Sequence, residues 1–146
     1  MKTRTFYDIL KPEQWIEIPG ISAFKLCWDG MPVTTGHMLI ISRDPNVKTY
    51  FDLDASPGHD DIRQLDSCIK TAKQMIIDKF GEPDGWNIGM YCGEASGQTV
   101  MHFHCHLIPR WTGDTKDPRG GVRNVIPDKG NYATDQQRQS IACLKI

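Results

Sequence analysis

Residues 98–110 read QTVMHFHCHLIPR, with a histidine at every second position from 102 to 106. Because successive side chains of a β-strand point to opposite faces, His102, His104 and His106 would share one face. The intervening residues are apolar and would face a core: Met101, Phe103, Cys105 and Leu107. The pattern therefore predicts a half-buried strand that carries three imidazoles on its other face.

Three explanations compete for this row of imidazoles. A solvated strand face is the simplest, but histidine is not a favoured strand residue. A metal site would strain the strand, because the outer two histidines lie roughly 13 Å apart and all three would have to reach one ion. The third explanation is covalent catalysis, in which one nitrogen of His104 attacks phosphorus while a hydrogen bond fixes the other nitrogen. The flanking rings would then contact the charge of the phosphoryl group, and no metal ligand is assigned.

Composition narrows the choice of partners. The 146 residues fit a single domain spanning 1–146, and the net charge of −1 gives no basic surplus for nucleic acid. No apolar run is long enough to cross a membrane, and the N-terminus has no secretory pattern. The five cysteines form no short-spaced pair, which indicates reduced thiols and a cytoplasmic protein.

The hydrophobic pattern predicts an α+β fold with a mainly antiparallel sheet of about five strands. One main helix is expected at residues 60–80, where apolar side chains recur at helical spacing and Gly81 with Pro83 ends the pattern. Other predicted elements are strands at 21–28, 37–41 and 86–91, a short helix near 11–15, and a short C-terminal helix at 135–144.

Two motifs resemble one family. The run from Gly97 to Arg110 looks like the signature of the histidine triad (HIT) superfamily of nucleotide hydrolases and transferases. It is most similar to the branch with the fragile-histidine-triad protein and the bacterial dinucleoside polyphosphate hydrolases. Residues 32–41, PVTTGHMLII, resemble a second landmark of the family. The resemblance implies a HIT-like fold and a homodimer.

The resemblance also implies catalytic roles for four histidines. His104 would attack the α-phosphorus of a nucleotide, and His102 would support the orientation of that nucleophile. His106 would contact phosphate oxygens and the leaving group. His37 falls at the position that supports the triad, with a structural histidine at the start of a strand as the alternative.

Three further residues fall at nucleotide-binding positions of the family. Gln98 would contact phosphate oxygens and the leaving group, as His106 does. Asp29 would accept hydrogen bonds from the ribose hydroxyls, or else serve only as a turn residue before Gly30. Thr99 would approach the phosphate, although strict alternation points it inward. Tyr91 departs from the family, which commonly has an amide residue there.

These residues predict a hydrolase or nucleotidyl transferase that acts at the α-phosphate of (di)nucleoside polyphosphates through a nucleotidyl-histidine intermediate. The alternatives are a nucleoside phosphoramidase and a non-catalytic nucleotide sensor. No fixed cofactor is expected, although a divalent cation such as Mg²⁺ could accompany the substrate. In the glycine-rich loop at 112–132, the cations Arg119, Arg123 and Lys129 either reach distal phosphates or are simply solvated.

Overall fold

The computed structural model describes residues 3–54 and 56–130. The terminal helix predicted at 135–144 lies outside the described residues. The chain divides into two compact units, Met1–Asp114 and a second that begins at Thr115. The sheet and the histidines belong to the first unit. In the second, residues Gly121–Val125 form a 3-10 helix, and Arg119 is paired with Asp117.

One antiparallel sheet organises the first unit. Its strands are β1 (Phe24–Trp28), β2 (Met38–Ser42), β3 (Gly85–Met90) and β4 (His104–Arg110), in the order β1-β2-β4-β3. The α+β prediction is confirmed. The described residues contain four strands rather than about five, because Ile16 makes only an isolated bridge to Leu26 and does not extend into a strand.

Helix α2 (Asp61–Phe80) covers one face of the sheet and matches the predicted helix at 60–80. Its buried stripe consists of Leu65, Cys68, Ala72 and Ile76, which pack against the strands. Two further apolar residues at helical spacing, Ile62 and Phe80 near the ends of the helix, are exposed. Within 3–54 and 56–130, we find no helix of the length and apolar character that a membrane span requires.

The opposite face of the sheet carries the histidines, and we call it the histidine face. It is formed by Cys27, Leu39, Ile41, His104 and His106 together with their strand neighbours. A short helix near the N-terminus, α1 (Phe6–Ile9), contributes Phe6 to the apolar part of this face. In the register, Ile41 lies opposite His104 and Leu39 lies opposite His106.

Two strand boundaries differ from the prediction. Strand β1 begins at Phe24 rather than at residue 21, and β4 begins only at His104. The regular ladder is interrupted at residue 103, because the Phe103 carbonyl accepts the Ser42 amide of β2 while the Phe103 amide donates to the Val47 carbonyl in the loop after β2. The alternation that points Thr99 inward is therefore wrong, and Thr99 is exposed.

Candidate active site

His104 presents one nitrogen as a nucleophile. Its Nδ1 lies 2.8 Å from the backbone carbonyl oxygen of His102, and a carbonyl can only accept a hydrogen bond. The proton of the neutral ring is therefore on Nδ1, and the lone pair is on Nε2. His104 Nε2 makes no hydrogen bond to any described residue. The protein thus fixes the tautomer and leaves the reactive nitrogen available.

The His102 side chain anchors the backbone carbonyl that orients His104. Its fully buried ring donates from Nε2 to the Ser42 carbonyl at 2.6 Å and accepts the Phe6 amide N–H at Nδ1, 3.1 Å away. The ring ties β2 and α1 to the residue whose carbonyl orients His104. The predicted supporting role of His102 therefore has a physical route through its backbone.

His106 has the opposite tautomer, and a second backbone group sets it. The Val33 amide donates to His37 Nδ1 at 3.2 Å, so a neutral His37 carries its proton on Nε2. That proton faces His106 Nδ1 at 2.9 Å, which leaves the His106 proton on Nε2. His106 Nε2 is buried and has no hydrogen-bond partner among the described residues.

The two neighbouring rings therefore offer complementary groups. The ring centroids of His104 and His106 are 5.2 Å apart. One ring presents a lone pair and the other an N–H donor that no residue of the described part of the chain satisfies. An unpaired buried donor costs about 1–3 kcal/mol, and such groups in native structures often mark a site that a ligand completes.

Burial keeps these imidazoles neutral. Loss of solvation lowers the pKa of His37, His102 and His104 below the ordinary 6.5. The pKa of His106 falls to about 4, first because of burial and then because of the neighbouring His104 and His37 rings. A proton on His104 would occupy the attacking lone pair, so a lowered pKa extends the reactive form into mildly acidic solution.

We expect kcat/KM for nucleotide hydrolysis to stay level as the pH falls through 6.5, because the pKa of His104 lies below that value. The acid limb should appear only at lower pH, where His104 gains a proton. A pH series from 4.5 to 8.5 measures this, with the exposed His59, replaced by asparagine, as the control. An acid limb centred at or above pH 6.5 would contradict the expectation.

The structure places Asp29, the residue predicted to bind the ribose hydroxyls, beside His37. Asp29 Oδ2 lies 3.4 Å from His37 Nε2, and Oδ1 accepts the Met31 amide at 2.7 Å. Asp29 therefore serves the turn through Oδ1 and faces His37 through Oδ2. A carboxylate has about four lone-pair positions, so acceptor capacity for a ribose hydroxyl is left over.

The amide of Gln98 is committed to the protein backbone. Its Oε1 accepts the Gly93 amide, and its Nε2 donates to the carbonyls of Lys48 and Val100. These bonds tie the loop before β4 to the loop after β2. Contact between Gln98 and phosphate stays a prediction. Thr99 is exposed and makes no hydrogen bond to described residues, and its contact with phosphate also stays a prediction.

Sequence reasoning missed Phe6 as an aromatic neighbour of the histidines, whereas it singled out Tyr91 as a departure from the family pattern. The Phe6 ring lies edge-on to His104 with centroids 4.8 Å apart, and the Tyr91 ring is 5.3 Å from His106. A signal for α1 was present, because Asp8 lies three residues after Thr5 and accepts its amide N–H as a helix-start pattern predicts. Gly89 lies opposite His106, and a Cβ there would meet nothing within 4 Å. Space is therefore open beside His106.

Asp29, His37 and His106 also bring three potential metal-ligand atoms within 4.8 Å of one another. A metal on His37 Nε2 would require that nitrogen to lose its proton, and the neutral ring would then carry the proton on Nδ1. That proton would oppose the Val33 amide N–H, which donates to the same atom. The hydrogen bond at His37 Nδ1 therefore favours a relay from Val33 through His37 to His106 over a metal centre.

Comparison with known proteins identifies the family. The family model of the HIT domain matches residues 22–113, and the chain belongs to this family. An uncharacterized HIT-like protein of Methanocaldococcus jannaschii is 37% identical over 67% of this chain and 71% of its own length. The bis(5'-nucleosyl)-tetraphosphatase (asymmetrical) of Schizosaccharomyces pombe is 30% identical over 70% of this chain. The match spans only 53% of that yeast protein.

The fold has close counterparts among solved structures. A HIT family protein from Bacillus anthracis superposes with a TM-score of 0.61 and 28% identity, covering 94% of this chain and 86% of that one. The α+β architecture with one antiparallel sheet and one main helix is thus the HIT fold.

Proposed function

We propose that this protein hydrolyses or transfers nucleotides at the α-phosphate of (di)nucleoside polyphosphates through a covalent nucleotidyl-His104 intermediate. The observation that carries the proposal is the pair of complementary nitrogens, a lone pair on His104 Nε2 beside an unpaired N–H on His106 Nε2. The named activity of the S. pombe relative supports the choice of substrate class.

In the first step, the lone pair of His104 Nε2 forms a bond to the α-phosphorus. The bond from that phosphorus to the bridging oxygen breaks, and the oxygen leaves with the electron pair. His106 Nε2–H donates to this oxygen and stabilises the charge that develops on it. The positive charge on the His104 ring is stabilised by the His102 carbonyl, which accepts the Nδ1 proton.

In the second step, water attacks the same phosphorus and the electron pair of the P–N bond returns to His104. His106 keeps its proton, because a neutral imidazole donates a hydrogen bond without releasing the N–H, and the attacking water releases one proton to solvent. Two displacements at one phosphorus split a difficult reaction into two easier ones. Mg²⁺ would act as a counter-ion of the substrate phosphates, and a homodimer remains part of this proposal.

A trapping experiment tests the intermediate. The protein is mixed with diadenosine tetraphosphate labelled at the α-phosphates and quenched within milliseconds under denaturing conditions at alkaline pH, where N-linked phosphorus survives. We expect label on the wild-type chain, on the peptide that contains His104, and none on the His104→Asn variant. The His59→Asn variant should be labelled as fully as the wild type.

The two alternatives give different results. A nucleotide sensor would bind the labelled compound and yield no covalent label at any quench time. A phosphoramidase would be labelled by adenosine phosphoramidate and cleave it far faster than the dinucleotide. Either result would remove the proposal in its present form.

A further inference from the structure

The loop that joins β1 to β2 carries the backbone donor at the start of the relay to His106. The loop runs from Asp29 to His37, and its base is closed by the Asp29 amide, which donates to the His37 carbonyl at 2.9 Å. Within it, the Val33 amide donates to His37 Nδ1 at 3.2 Å. This hydrogen bond favours a proton on His37 Nε2, which in turn leaves the proton of His106 on its own Nε2.

The relay could also run in the opposite direction. If His37 carried its proton on Nδ1, its Nε2 would accept a hydrogen bond from His106 Nδ1, and His106 would present a lone pair at Nε2 instead of an N–H. The Val33 amide opposes this reversed state, because its N–H would face the Nδ1 proton. The Asp29 carboxylate opposes it too, since Oδ2 lies 3.4 Å from His37 Nε2 and favours a proton there. The direction of the relay therefore depends on the position of the Val33 amide.

The Thr34 side chain attaches this loop to the strand that carries His106. Its hydroxyl donates to the Pro109 carbonyl at 2.7 Å, and Pro109 follows His106 by three residues on β4. The pairing of β2 with β4 ends at Met38 and Leu107, so Pro109 lies beyond it. Thr34 thus supplies a hydrogen bond to β4 at a point where the β2 backbone no longer does.

Close packing accompanies this hydrogen bond. Gly36 has a φ of 93°, and a Cβ there would lie 3.2 Å from Pro109 Cγ, so the loop backbone lies directly against β4. A second hydrogen bond between the loop and the chain after β4 joins Trp111 Nε1 to the Thr35 carbonyl at 3.1 Å, but it is exposed to solvent. Thr34 is half-buried, and a hydrogen bond shielded from water is the stronger one. The Thr34 hydroxyl is therefore the main polar attachment of the loop to β4.

We propose that Thr34 is a positioning residue for the nucleotide reaction, an inference that rests on the proposed function. Its hydroxyl holds the Val33 amide against His37, and this keeps the proton on His106 Nε2, where the leaving oxygen meets it. Thr34 acts through three successive hydrogen bonds and needs no contact with the substrate. Loss of the hydroxyl should therefore lower kcat and leave KM nearly unchanged.

The kinetic test removes the hydroxyl and then restores it. Thr34→Val replaces the hydroxyl by a methyl group, and Thr34→Ser retains it. We expect kcat for diadenosine tetraphosphate to fall about tenfold in Thr34→Val, since a misplaced group can cost up to about 10²-fold and Asp29 still favours the same tautomer. Thr34→Ser should have the kcat of the wild type. For 4-nitrophenyl adenylate, whose leaving group is already a stable anion, the loss in Thr34→Val should nearly vanish.

Nitrogen NMR of histidine-labelled protein tests the same inference without substrate. In the wild type, His106 should show a protonated Nε2 and an unprotonated Nδ1. In Thr34→Val the two resonances should move toward each other as the reversed state becomes populated. Thr35→Val is the matched control, because it makes the same substitution at an exposed residue whose hydroxyl has no hydrogen bond to described residues. This control should match the wild type in every measurement.

Unchanged His106 resonances in Thr34→Val would overturn the inference, and so would an unchanged kcat or an equal loss of kcat for the two substrates. Thr34→Ala removes the hydroxyl without placing a methyl group beside the Pro109 carbonyl, so it gives the same test if the valine variant does not fold. If the wild type cleaves neither substrate, the hydrolase proposal fails, and the nitrogen resonances still decide whether Thr34 sets the tautomer of His106.

Discussion

Replacement of His104 by asparagine should lower kcat for nucleotide hydrolysis by about 10³–10⁴-fold or more, as expected when a covalent nucleophile is removed. Asparagine retains an amide N–H where His104 has Nδ1–H, so the hydrogen bond to the His102 carbonyl can persist. It has no atom in place of Nε2. The variant should therefore keep its fold and its nucleotide affinity and lose only the chemistry.

Two separate measurements test this expectation. Single-turnover rates at saturating nucleotide report the chemical step, and calorimetry reports nucleotide affinity. His59→Asn makes the same substitution at an exposed histidine whose Nδ1 faces Asp54, and it should have wild-type values in both. A kcat within tenfold of wild type for His104→Asn would contradict the assignment of His104 as nucleophile. A large loss of affinity would instead place His104 in ground-state binding.

The sequence predicted the elements whose signal is periodic. Alternating histidines and apolar residues located the strand, and helical spacing at residues 60–80 located α2 within one residue of its observed start. The buried stripe of α2 consists of Leu65, Cys68, Ala72 and Ile76, whereas Ile62 at the start of the helix is exposed. Strong periodicity thus identifies which face is buried, while the ends of the stripe depend on where the sheet stops.

The chemistry of the site depends on groups that no sequence pattern marks. The His104 tautomer is set by the His102 carbonyl and the His106 tautomer by the Val33 amide. Every residue has a backbone carbonyl and every residue except proline has a backbone N–H, so these groups leave no mark in the sequence. Their roles follow from where the chain places them. The alternation before His104 failed for a similar reason, since the Phe103 amide bonds to the Val47 carbonyl and interrupts the regular ladder.

Gln98 shows a different limit. The side chain was predicted to contact phosphate, and the structure uses all its hydrogen-bonding groups to join two loops. A glutamine can do either, because its amide suits a backbone group as well as a phosphate oxygen. Residue type therefore leaves both roles open, and the hydrogen-bond partners show what Gln98 does in the free protein.

His106→Asn should lower kcat by about 10²–10³-fold for a substrate whose leaving group is a nucleotide, since one preorganised donor is typically worth that much. In the wild type, His37 Nε2 lies 2.9 Å from His106 Nδ1. The Oδ1 of asparagine lies near the place of that Nδ1 and can accept the same proton from His37 Nε2. Only the unpaired Nε2–H is lost. The relay from Val33 is preserved, so the variant isolates the donor.

A leaving group that is already a stable anion needs little help from a donor. For 4-nitrophenyl adenylate, the loss in His106→Asn should therefore shrink to about tenfold or less, because a hydrogen bond to the departing oxygen contributes more the more basic that oxygen is. Side-by-side kcat values for this ester and diadenosine tetraphosphate measure the difference within one protein. Equal losses for the two leaving groups would mean that His106 acts on the entering side or on the fold, and not on the departing oxygen.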